Sequence, residues 1–148
     1  MIGFRGVAPC LAAADVGATA QWYAEHLDFQ VDGFPADQPW SFAILRREAV
    51  TIMLQRAAMV EQSSGRTGAG FQPSRAAVAP TAAASMLPED RAWSAYITVS
   101  GIRELFERLQ TRMPIRKTLR QLPYGDWEFE VEDPNGCILV FSELLPES

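Results

Sequence analysis

Residues 127–141 read Trp127-Glu128-Phe129-Glu130-Val131-Glu132-Asp133-Pro134-Asn135-Gly136-Cys137-Ile138-Leu139-Val140-Phe141. Apolar and acidic residues alternate strictly through the first six, which is the period of a half-buried strand. Asp133-Pro134-Asn135-Gly136 then supplies the residues of a type I turn closed by a left-handed glycine. A second strand follows, residues 137–142. The hairpin pairs Asp133 with Cys137 and Glu130 with Val140. Directly opposed residues share a face. Trp127, Phe129, Val131, Leu139 and Phe141 therefore face a core, while Glu128, Glu130, Glu132 and Val140 face the other way.

An earlier stretch repeats this pattern. Laying Trp40 on Trp127 also lays Phe42 on Phe129, Ile44 on Val131, Ile52 on Leu139 and Leu54 on Phe141. On this register Ser41, Ala43, Met53 and Gln55 take the open face. Residues 40–45 and 50–55 are two strands joined by a polar turn, residues 46–49. Upstream, residues 5–14 (RGVAPCLAAA) form a strand matched by residues 93–100 (WSAYITVS), with Leu11 on Ile97. Each is followed by an amphipathic helix, residues 17–27 capped by Asp15, and residues 101–109; Tyr23 falls on Phe106. Phe29-Gln30-Val31 returns as a strand into an Asp32-Gly33 turn. Both halves thus read strand, helix, three strands. On the inner strands Ala8, Cys10 and Ala12, with Ser94, Tyr96 and Thr98, share the open face. Between the halves, residues 57–91 are rich in Ala, Gly, Ser and Pro and read as a long mobile connector.

The whole is 148 residues with 48% hydrophobic and 21% charged side chains, enough for one globular domain. Its net charge of −5 disfavours nucleic acid as a partner. No apolar run reaches the ~18 residues of a membrane helix and no signal peptide is evident, so a cytoplasmic protein without membrane contact is expected. Two cysteines, Cys10 and Cys137, read as free thiols rather than a disulfide framework, and one histidine, His26, cannot make a multi-histidine metal site. No phosphate loop or nucleophile elbow is present.

The order and spacing of these motifs resemble the vicinal oxygen chelate superfamily of glyoxalases, bleomycin-resistance proteins and dioxygenases. The likeness is carried by Pro9-Cys10-Leu11 with Asp15, by Trp22-Tyr23-Ala24-Glu25-His26-Leu27-Asp28-Phe29, by the hairpin of residues 42–54, by Pro123-Tyr124-Gly125 before Glu128-Phe129, and by Asp133-Pro134-Asn135-Gly136. It implies an α+β fold of paired βαβββ modules, residues 1–56 and 92–148, forming curved mixed β-sheets with helices on the outer face. It also implies a homodimer. Enzymes of the superfamily hold a divalent metal through His, Gln or Glu at four positions, which fall here on Ala8, Met53, Ser94 and Val140. None is a competent ligand, so the expected protein carries no metal or other cofactor. It would sequester a small molecule, such as an antibiotic or another cationic or aromatic compound, in a dimer cleft, rather than act as an enzyme. The alternative is a lyase, isomerase or dioxygenase of the same superfamily, metal-free or using displaced ligands such as Glu128 or Glu130. The expected ligand contacts are Cys10, Ser41, Met53, Gln55, Tyr96, Thr98, Glu128 and Glu130, the acids drawing a cation.

Overall fold

A computed structural model describes residues 1–37, 39–57 and 92–144; of the expected connector, all but Ala57 lies outside the described residues. The first half runs β1 (Cys10–Ala13), α1 (Val16–Leu27), β2 (Gln30–Phe34), β3 (Phe42–Arg47) and β4 (Val50–Arg56). The second runs β5 (Ala95–Thr98), α2 (Ile102–Gln110), β6 (Ile115–Gln121), β7 (Asp126–Glu132) and β8 (Ile138–Leu144). Each half is a four-stranded mixed sheet, ordered β1-β4-β3-β2 and β5-β8-β7-β6, with β1 and β5 the parallel members. The paired βαβββ architecture is therefore present, including a strand, β6, that basic residues hide from a reading by alternation. Gly33 lies inside β2 rather than in a turn. A side chain there would overlap the Trp40 indole, so glycine lets that ring close onto the strand.

Both helices are too short to persist alone and stand because one face is buried. In α1, Val16, Ala20, Tyr23 and Leu27 are buried, and in α2 Ile102 and Leu109 are. Asp15 caps α1 by accepting from the Ala18 N–H at 3.0 Å. Gly101, which precedes α2, has no side chain to cap with. Glu143 of β8 serves instead, accepting from the N–H groups of Gly101 at 2.7 Å and Ile102 at 3.4 Å.

The repeat holds, but its register differs from the sequence reading on β3. Leu45 pairs with Ile52 and Ala43 with Leu54, whereas Val131 pairs with Leu139 and Phe129 with Phe141. The β7–β8 connection thus carries one more residue than the β3–β4 connection. Matching the halves through one fixed spacing slips β3 by one residue, which exchanges its faces. Ala43 is fully buried in the core and equivalent to Phe129; Phe42 and Ile44 take the open face. Counted from the first residue of each helix, Tyr23 corresponds to Leu109, both fully buried, rather than to Phe106.

The core is continuous between the halves, joining Leu11, Tyr23, Leu45 and Leu54 with Ile97, Leu109, Phe129 and Phe141. Its anchor is the turn after β7. Asp133 Oδ1 accepts from the Asn135 and Cys137 N–H groups, and Oδ2 accepts the Tyr23 hydroxyl at 2.8 Å. Asn135 adds bonds to the Ala14 N–H and the Thr19 hydroxyl. These links all lie on the helix side of the sheets.

Candidate functional site

The open face of the first sheet is mainly apolar. Strand pairing sets Met53 between Cys10 and Ile44, and Gln55 between Ala12 and Phe42. Phe34 adjoins Phe42, with ring centroids 6.2 Å apart. Of the expected contacts, Cys10, Met53 and Gln55 are brought together; Cys10 Sγ lies 3.9 Å from Gln55 Oε1, and burial raises its thiol pKa. Ser41 does not join them. It precedes β3, its N–H donates to Phe34 C=O and its C=O accepts from the Arg56 N–H. Alternation puts its side chain with Ala43, away from Met53, because of the register difference above.

The open face of the second sheet is polar and aromatic. Tyr96 adjoins Val140, Thr98 adjoins Ser142, Ser142 adjoins Glu128, and Val140 adjoins Glu130. Here Tyr96, Thr98, Glu128 and Glu130 do come together. The two acids are not a solvated strand face: Glu128 is 5% exposed and Glu130 7%. Their environments differ sharply. Glu130 is compensated by β6, with Arg116 at 3.5 Å, Lys117 at 3.6 Å and Arg120 at 3.9 Å. Glu132 pairs with Arg116 at 3.0 Å. Glu128 instead accepts two neutral donors on Oε2, the hydroxyls of Tyr96 at 2.5 Å and Tyr124 at 2.8 Å. The bond to Glu128 pushes the Tyr124 hydroxyl up to about 12, while burial first, and then the same carboxylate, raises Tyr96.

Sequence reasoning missed the three cations, because β6 does not alternate cleanly, and weighed Tyr124 only as part of a motif. Beside this cluster, a cavity of about 490 Å³ opens between the arm before β1, the start of β4, and β5, lined by Val7, Pro9, Val50, Trp93, Tyr96 and Thr98. That volume suits a small organic molecule.

The four positions that the resemblance assigns to a metal offer a methyl group, a thioether, a hydroxyl and an isopropyl group. Met53 lies opposite Cys10 as Val140 lies opposite Tyr96, so the positions correspond between the halves. This set does not fit a divalent cation, which requires carboxylate or imidazole donors. Among the described residues no three His, Cys, Asp or Glu side chains gather as a metal site. No described helix is long and apolar enough to cross a membrane.

No family model and no curated protein sequence matches the chain. Solved structures do. TioX from Micromonospora sp. ML1 superposes with a TM-score of 0.66 at 19% identity, over 96% of this chain and 100% of that one. A glyoxalase/bleomycin resistance protein/dioxygenase from Nocardioides gives 0.62 at 15%, over 100% and 89%. The bleomycin-binding protein from bleomycin-producing Streptomyces verticillus, solved with copper(II)-bleomycin, gives 0.59 at 21%, over 95% and 97%. The fold expected from the sequence is thus the fold these proteins share.

Proposed function

From a chain with the glyoxalase/bleomycin-resistance fold, we propose a metal-free binding protein that sequesters a small cationic or aromatic molecule, an antibiotic among the candidates, without transforming it. What supports this reading is the donor set: Ala8, Met53, Ser94 and Val140 occupy the positions that the resemblance assigns to a metal, and none of them offers a carboxylate or imidazole. The open faces support the binding half of the proposal. One sheet offers Phe34, Phe42, Ile44 and Met53, and the other offers exposed aromatics around a buried carboxylate.

The hydrogen bonds that join the halves run from α1 and Ala14 before it to the turn after β7, on the helix side. In this reading a second copy completes the cleft, the apolar face of one protomer meeting the polar face of its partner. The structural neighbour that holds copper(II)-bleomycin makes bleomycin the first compound to try. Titration of bleomycin-class glycopeptides in a calorimeter is expected to give saturable heats and a raised thermal midpoint. Uniformly absent heats would remove the drug version. Stoichiometric Fe, Ni, Zn or Mn in the purified protein would instead favour the metal-dependent lyase, isomerase or dioxygenase reading.

A further inference from the structure

Glu128 differs from every other acid on its sheet. It is 95% buried by its 5% exposure, yet no Lys or Arg among the described residues pairs with it. A buried carboxylate is costly without a compensating charge. Two hydroxyls compensate part of that cost, and both act on Oε2; Oε1 accepts no hydrogen bond among the described residues. Arg120, the cross-strand partner of Glu128, turns instead to Glu130 at 3.9 Å and to the Thr118 C=O at 3.4 Å, so Glu128 is left without an ion pair.

What surrounds it is aromatic. Tyr96 and Tyr124 converge on one oxygen, so their rings flank the carboxylate. Trp93 adjoins Tyr96 with ring centroids 5.5 Å apart. All three rings are open to solvent, at 56% for Trp93, 40% for Tyr96 and 65% for Tyr124. Exposed aromatic rings beside a carboxylate without an ion pair favour a cation that sheds its water cheaply. Alkylated ammonium groups do so, whereas a compact primary ammonium or a metal ion does not. A single carboxylate whose second oxygen is already taken by hydroxyl donors is also a poor metal site.

Resting on the cleft reading above, we propose that Glu128 with Trp93, Tyr96 and Tyr124 forms a receptor for an alkylated ammonium group. The rest of the ligand lies in the neighbouring cavity, which shares Trp93 and Tyr96 with this cluster. The acid that receives the cation is thus Glu128 alone, not the row of three, since Glu130 and Glu132 are held by Arg116, Lys117 and Arg120.

The test titrates the native protein with choline and with its uncharged isostere 3,3-dimethylbutan-1-ol. Ionic strength is held constant with NaCl, and the Trp93 indole N–H is followed by NMR. Choline is expected to bind at least ten-fold more tightly than the alcohol, and Glu128→Gln to remove that preference. Tyr124→Ala, which removes an exposed ring and one hydrogen bond to Glu128, is expected to weaken choline at least three-fold while the protein remains folded at a lowered thermal midpoint; it serves as the second readout if Glu128→Gln fails to fold. Equal binding of both probes, binding of neither, or choline affinity indifferent to both substitutions overturns the proposal. An uncharged compound found to saturate the cleft would then leave the binding function standing without the ammonium receptor.

Discussion

Tyr23 and Asp133 show how much one pair of atoms carries. The phenol is fully buried, the carboxylate is 5% exposed, and their hydrogen bond joins the two halves. Removing a donor from a buried carboxylate costs about 1.5–3 kcal/mol, so Tyr23→Phe is expected to lower urea stability by that amount at neutral pH. The pair also sets a pH dependence. Burial first, and then Asp133, raises the Tyr23 pKa above its ordinary value. The folded state therefore keeps a proton that the unfolded state loses above about pH 10. The pair's stabilisation is complete below that pH and declines above it. Wild type should lose stability more steeply than Tyr23→Phe between pH 9 and 11; parallel slopes would disprove the coupling. Of this pair, Tyr23 was legible as a helix residue and Asp133 as the head of a turn. Nothing in their spacing shows that they meet, because the sequence separation of 110 residues is bridged only by packing.

Among the elements, α2 and β7 make opposite lessons. The helical spacing of Ile102, Leu105, Phe106 and Leu109 announces α2, yet its N-terminus rests on a residue from another strand. Glu143→Ala is expected to cost about 0.5–2 kcal/mol, the range for losing a helix cap, measured by chemical denaturation. An unchanged midpoint would show that solvent satisfies those N–H groups equally well. In β7 both faces follow from the strict alternation of six residues, and the pairing of Glu130 with Val140 follows from the turn length. In β3 the same argument fails for Ser41 and Ala43. Apolar residues stand on both sides of that strand, so alternation does not choose a face, and the repeat was extended across a turn of different length. β6 was missed for a related reason: Arg116, Lys117 and Arg120 are needed beside Glu130, and their charges mask the strand's period.

At the scale of the whole molecule, exposed apolar side chains argue for a second copy. Met1, Ile2, Phe4 and Val7 of the arm are each more than nine-tenths exposed, and Phe34 is 46% exposed. Single exposed apolar residues are ordinary, but clustered ones mark interaction surfaces. Sedimentation velocity is expected to show a dimer of the 16.4 kDa chain at micromolar concentration. A monomer at every concentration tested would oppose a cleft shared between protomers. The amino-acid sequence by itself determined the duplicated βαβββ plan, the faces of Glu128, Glu130 and Glu132 on β7, and the lack of a carboxylate or imidazole at Ala8, Met53, Ser94 and Val140. These follow from local period, turn chemistry and side-chain type. Only the tertiary structure decided the face of β3, the partner that caps α2, and which buried acid is left without an ion pair. Those depend on what approaches from distant strands, and charge compensation in a buried site is a property of the neighbourhood rather than of the chain's order.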